Sequence, residues 1–186
     1  LIIEYDGTNY VGWQIQPNGI AVQQVIGNAL KKITGENLTL HASGRTDSGV
    51  HARAQAAHFE TESRIPAEIF AFALNTYLPP DIRIKASLEM PHEGEAEFHA
   101  RFSVQKKHYR YRVLNSRHAS AFLRSTALHI HTPLSIEKLN AAAELFLGTH
   151  DFAAFKAAGS KAETTVRTIF LSRWSRDGDC IVYDVA

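Results

Sequence analysis

The chain is expected to be a mixed α/β (α+β) protein of two consecutive units, each combining short strands with helices. Three observations predict this. Apolar stripes spaced three and four residues apart alternate with short runs of period two. Turn residues punctuate them at Asp6-Gly7, Gly35, Pro79-Pro80, Gly148 and Asp177-Gly178-Asp179. A strand-helix pattern also occurs twice, on either side of an acidic, glycine-containing stretch at 91–97, which places the units at 1–97 and 98–186.

Residues 1–5 (Leu-Ile-Ile-Glu-Tyr) form the first strand and stop at Asp6-Gly7. Val22, Val25, Ile26, Ala29, Leu30 and Ile33 make one helical stripe over 22–34, with Lys31 and Lys32 complementing the dipole and Gly35 as the stop. Ala21 offers no side-chain cap. Strands follow at 38–42 and 54–60, joined by a polar loop at 43–53. Pro66 opens a helix whose stripe is Ile69, Phe70, Ala73, Leu74 and Tyr77, and Pro79-Pro80 ends it. Residues 81–89 alternate, with Ile82, Ile84, Ala86 and Leu88 on one face. This order is that of a split βαβ, ferredoxin-like unit. The second unit has a strand at 107–114 and a helix at 136–147 through Ile136, Leu139, Ala143, Phe146 and Leu147. Strands at 166–174 and 180–185 complete it. Ala186 lies inside an apolar strand, so the second unit is expected to be incomplete.

Of 186 residues, 45% are apolar and 21% charged, which excludes disordered, collagenous and coiled-coil classes. No run reaches the 18 or so apolar residues of a membrane span. One cysteine, Cys180, excludes an internal disulfide framework and points to a reducing compartment. No basic-then-apolar leader is visible, and the chain starts at Leu1 rather than Met, so residues are expected to be missing in front. Net charge is only +1, but residues 101–124 carry Arg101, Lys106, Lys107, Arg110, Arg112, Arg117 and Arg124 with no acid. Interleaved with Phe102, Tyr109 and Tyr111, this stretch suits a polyanion with stackable bases, or else a solvated basic strand.

The densest polar segment is Gly44-Arg45-Thr46-Asp47-Ser48-Gly49-Val50-His51-Ala52. Asp47 is the only carboxylate between Glu36 and Glu60, and Arg45 is placed to hold it ionised. A lone ionised Asp suits a nucleophile or base better than a general acid. The alternative is an Asx turn, with Asp47 bonding nearby backbone. In Lys106-Lys107-His108-Tyr109-Arg110-Tyr111-Arg112 the tyrosines share one strand face, either for a base and a proton or as core beneath a charged surface. No His-Glu-x-x-His, Cys-x-x-Cys, Walker loop or nucleophile elbow is present, and no carboxylate pairs locally with Asp47. His129-Ile130-His131 and His150-Asp151 are isolated pairs that make a poor metal site.

These segments together resemble the tRNA pseudouridine synthase A family. Glu4-Tyr5-Asp6-Gly7, Tyr10 and Gly12-Trp13-Gln14 are similar to its opening segment, and Gly44–Ala52 to its active-site motif. Phe98-His99-Ala100-Arg101-Phe102-Ser103 with Tyr109-Arg110-Tyr111 resembles a second block, and Asp151-Phe152 with Phe155 a third. Ser48 stands where relatives commonly have Ala.

The resemblance implies two ferredoxin-like, RRM-like halves with antiparallel sheets around a central cleft. It implies isomerisation of uridine to pseudouridine in the anticodon stem-loop of tRNA by a cytoplasmic homodimer, without metal, cofactor or membrane. Asp47 would be the catalytic aspartate, Arg45 would pair with it and help turn the uridine out, and Tyr109 would lie against the uracil and assist proton transfer at C5. Arg101, Lys106, Lys107, Arg110 and Arg112 would meet phosphates, and His51 would also belong to the RNA-binding set. A further family block, with a basic partner for the aspartate, falls beyond Ala186. The competing expectations are a non-catalytic RNA-binding module, a catalytically incomplete fragment, or a hydrolase acting at C1′ that releases free uracil.

Overall fold

The computed structural model describes residues 1–91, 97–156 and 164–186. They form two compact units, Leu1–Gln105 and Lys106–Ala186. The first unit therefore runs past residue 97 and takes in Phe98–Ser103. The acidic stretch expected to separate the units lies largely outside the described residues. Both units are mixed α/β, with mainly antiparallel strands and few helices.

In the first unit, β1 (Ile2–Tyr5), α1 (Val22–Thr34), β2 (His41–Ala42), β3 (Ala52–His58), α2 (Phe70–Asn75) and β4 (Ile82–Ala86) follow one another. The sheet order is β2-β3-β1-β4. All three pairings are antiparallel. Alternation on β1 and β4 buries Ile3, Tyr5, Ile82 and Ile84 against Val22, Ile26 and Leu30 of α1.

Helix α1 has the bounds its stripe predicts. Gly35 closes it at φ 80°, donating its N–H to the Lys31 carbonyl at 2.9 Å. The missing cap at Ala21 is replaced by tertiary backbone: Val22 N–H donates to the Gly12 carbonyl (3.1 Å) and Gln23 N–H to that of Trp13 (3.0 Å). Thus the 12–13 segment is bound to the start of α1.

Three expectations for this unit are corrected. The strand at 38–42 is only His41–Ala42. The helix after Pro66 is a 3-10 turn at Ala67–Ile69 followed by six residues of α2. Its buried side is Phe70, Ala71, Leu74 and Leu78, whereas Ile69 and Tyr77 are half exposed. The tight opening turn rotates the later residues relative to the expected α-helical phase. Strand β4 ends at Ala86: Ser87 turns inward to accept the Ala71 N–H at 2.9 Å, and Leu88 is exposed.

The second unit contains β5 (Tyr109–Leu114), β6 (Leu128–His129), α3 (Ile136–Glu144), β7 (Gly148–Asp151), β8 (Val166–Ile169), β9 (Ser172–Asp177) and β10 (Cys180–Val185). One sheet has the order β6-β5-β10-β9, and β7-β8 form a separate ribbon. The pair β5-β6 is parallel. Helix α3 is shorter than 136–147: Leu145, Phe146 and Leu147 donate to carbonyls three residues back, so its last turn tightens before Gly148. Ser135 caps its start, accepting the Lys138 N–H at 3.2 Å. The strand expected at 166–174 is two strands in different sheets, because Phe170 and Leu171 both turn their N–H groups to the Ala186 carbonyl. Asn140 ties α3 to β9, exchanging two hydrogen bonds with the Trp174 backbone.

Candidate active site

The loop between β2 and β3 carries Arg45, Thr46, Asp47 and Ser48, and it lies along the segment that follows β1. Trp13 N–H donates to the Thr46 carbonyl at 3.0 Å, and Gly49 N–H to the Tyr10 carbonyl at 3.2 Å. Ser48 Oγ also donates to the Tyr10 carbonyl (3.3 Å), while Thr46 Oγ1 and the Tyr5 hydroxyl are hydrogen-bonded at 2.8 Å. Gly12 has φ 107°, and a Cβ there would lie 2.5 Å from the Thr46 carbonyl oxygen. Only glycine permits this approach of two backbones. At the far end, Gly44 O accepts from Gln55 Nε2. The anchor is itself held: the buried Tyr10 donates its hydroxyl to Asp81 Oδ1 at 2.7 Å, and burial, reinforced by that carboxylate, pushes the phenol pKa up.

Thr46 points inward and leaves its neighbours Arg45 and Asp47 exposed. They flank a groove of about 380 Å³ whose other wall is Val11, Gln14, Gln16 and Asn18. The expected Arg45–Asp47 ion pair is absent among the described residues. In this open setting such a pair gains at most about 1 kcal/mol. The Asx-turn alternative is not realised either. Val50 N–H bonds the Asp47 main-chain carbonyl (3.1 Å), and among the described residues the Asp47 carboxylate has no hydrogen bond. The Asx turn is at Asp6, whose Oδ1 accepts the Thr8 N–H at 3.0 Å and the Thr8 hydroxyl at 2.5 Å. Those bonds hold the Asp6 carboxyl below the usual range. His51 Nδ1 accepts the Gly7 N–H at 3.1 Å and lies 3.0 Å from Asp6 Oδ1. His51 therefore bonds the turn after β1.

Tyr109 opens β5 and is 59% exposed, as is Tyr111 at 54%. The alternative of two core tyrosines is thereby overturned. Arg110 forks onto Asp184 through Nε (2.8 Å) and Nη2 (3.0 Å) and stays half exposed. His108 Nε2 shares Asp184 Oδ1 at 2.8 Å. Of the other expected phosphate contacts, Lys106 sits 4.4 Å from the Phe170 ring centroid and Arg101 5.6 Å from that of Phe102. Lys107 is exposed and Arg112 half-buried. His129 and His150 bond the Ser116 and Leu147 carbonyls.

The Arg110 and His108 bonds hold the Asp184 carboxyl below the usual carboxylate range, with the Arg110 bond the larger cause. The stabilisation from this link is therefore complete above the unfolded value of about 3.9. It is lost as pH falls through the lower folded value. In urea titrations of wild type and Asp184→Asn, the gap between midpoints is expected to shrink from about pH 6 to about pH 3. A constant gap would dismiss the charged link.

A family model described as tRNA pseudouridine synthase matches residues 1–103 and 142–186, including the whole Asp47 loop. The chain belongs to the tRNA pseudouridine synthase family. It is 46% identical over 185 residues to tRNA pseudouridine synthase A of Geotalea uraniireducens, covering 100% of this chain and 74% of that protein. To the Ruminiclostridium cellulolyticum protein of that name it is 50% identical over 170 residues, covering 91% and 68%. For that of Acetivibrio thermocellus the identity is 47% over 186 residues, covering 100% and 75%. Tyr109 lies between the two stretches matched by the family model, whereas the two full-length alignments include it.

Sequence reasoning missed several residues that, each within its own unit, hold the candidate groups of this pseudouridine synthase family member. Tyr5, Tyr10, Gly12 and Trp13 were legible only as a resemblance, and their task of holding the loop was not. Asp81 and Asp184 carried no signal, since each meets its partner more than seventy positions away.

Proposed function

We propose that this chain isomerises uridine to pseudouridine in tRNA, acting on the anticodon stem-loop. The observation that carries this reading is the Asp47 carboxylate: its loop is pinned on both sides, yet among the described residues nothing occupies its oxygens. In the proposed reaction the C1′–N1 bond breaks, uracil rotates and C1′–C5 forms; the C5 proton departs and the freed N1 takes up a proton, so the product is an isomer of the substrate. Nothing is oxidised and no group is imported, so the chemistry calls for no cofactor or metal. Asp47 serves as nucleophile or base, Arg45 fills space vacated by the everted nucleotide, and Tyr109 lies against the uracil and helps move the C5 proton. Lys106, Lys107, Arg110, Arg112 and Arg101 meet phosphates, and Asp184 holds Arg110 on β5.

The same reading takes the first unit as a ferredoxin-like half carrying Asp47 and the second as the half carrying Tyr109. The order β2-β3-β1-β4 supports the first assignment. A cytoplasmic homodimer is part of the proposal. Among the described residues no helix is long and apolar enough to cross a membrane.

Nucleoside analysis of unmodified tRNA after incubation with the protein tests the reading. Pseudouridine is the expected product. Free uracil would mean a hydrolase at C1′, and salt-sensitive binding without product a non-catalytic RNA-binding module.

A further inference from the structure

Away from the Asp47 groove, the first unit carries a run of rings at one edge of its sheet. β2 is an end strand, and His41 on it is paired with and stacked on His58 of β3, with centroids 5.1 Å apart. His99 meets His58 edge-on at 4.6 Å, and Phe102 lies 4.4 Å from His99. Backbone bonds fix this arrangement. Ala100 N–H donates to His58 Nδ1 and Arg101 N–H to His99 Nδ1, each at 3.1 Å. Ser103 N–H donates to the His99 carbonyl at 2.8 Å, and Ser103 Oγ accepts the His99 N–H at 3.1 Å.

The run ends on a bare ring. Phe102 is 75% exposed, with the Arg101 guanidinium 5.6 Å from its centroid. Its neighbours in the chain are Arg101 and Ser103 rather than apolar residues. A fixed aromatic face beside a cation and a hydroxyl is poorly matched to an apolar protein surface. It does match an unpaired nucleotide, whose base stacks and whose phosphate pairs with arginine.

We propose that Phe102, backed by His99, is a stacking platform for one unpaired base of the RNA substrate, with Arg101 on a neighbouring phosphate. This rests on the tRNA reading above and adds a binding residue on the first unit, separate from the catalytic groups.

The test uses Phe102→Ala and Phe102→Trp in the whole chain, with an anticodon stem-loop RNA and the same RNA made abasic at one loop position at a time. Phe102 is exposed, so both variants are expected to melt as wild type does. Phe102→Ala is expected to weaken binding about 5- to 150-fold, and Phe102→Trp to retain it. One abasic position should weaken wild type by a similar factor and Phe102→Ala no further. Arg101→Ala should reduce the salt slope by about one. Equal affinity of Phe102→Ala and wild type, or abasic losses that add to the Ala loss at every position, would overturn the platform while leaving the enzyme reading intact. A wild-type chain that neither binds nor modifies tRNA would overturn both.

Discussion

Asp47→Asn is expected to lower tritium release from C5-labelled uridine in tRNA by at least about 10³-fold, the scale seen when a nucleophile is removed. Asparagine is nearly isosteric but neither ionised nor basic, so the loss is chemical. The carboxylate has no hydrogen bond among the described residues, and the loop is held by other atoms: the Thr46 and Tyr10 carbonyls, Thr46 Oγ1 and Ser48 Oγ. Fold stability should therefore stay within the ±0.5 kcal/mol of an ordinary surface change, roughly, and tRNA binding should persist. Turnover at the wild-type rate would remove Asp47 from the mechanism. Loss of activity accompanied by a large fall in melting temperature would show instead that the carboxylate had a structural task.

Gly12→Ala should destabilise the fold strongly. A side chain there faces a backbone at φ 107° and a Cβ 2.5 Å from the Thr46 carbonyl oxygen. Relieving that contact breaks the Trp13-to-Thr46 bond and disturbs the Gly12 carbonyl that receives the first N–H of α1. Strain and the lost bonds together come to about 3–4 kcal/mol. The melting temperature should fall by roughly 6–16 °C, with activity lost through the displaced loop. Gly35→Ala is the control. Its φ of 80° is also left-handed, but nothing lies within 4 Å of the added Cβ, so the cost is about 1 kcal/mol and activity is kept. Equal penalties at the two positions would show that close approach of the loop is not what Gly12 provides.

Elements with a complete local period were legible, and those defined by a partner were not. Helix α1 could be bounded because its stripe, its terminal lysines and Gly35 all lie within one stretch. Strands β6 and β7 were missed: β6 is two residues long, and β7 (Gly-Thr-His-Asp) has no buried residue. The run at 166–174 looked continuous because Phe170 and Leu171 suit a strand, and only the Ala186 carbonyl breaks it. In the helix after Pro66 the composition was right and the phase wrong, since a 3-10 turn changes the residue angle without changing the sequence.

By itself the sequence determined the order of strands and helices in the first unit, the glycine-bracketed loop carrying Asp47, and the resemblance that its motifs carry. Those are properties of neighbours along the chain, where propensity and spacing act. Only the tertiary structure decided that Thr46 turns in and Asp47 out, that among the described residues Arg45 leaves the carboxylate unpaired, and that Arg110 is held by Asp184. Each outcome depends on a hydrogen-bond partner or groove wall contributed by a distant segment, and no local preference encodes which distant group will arrive.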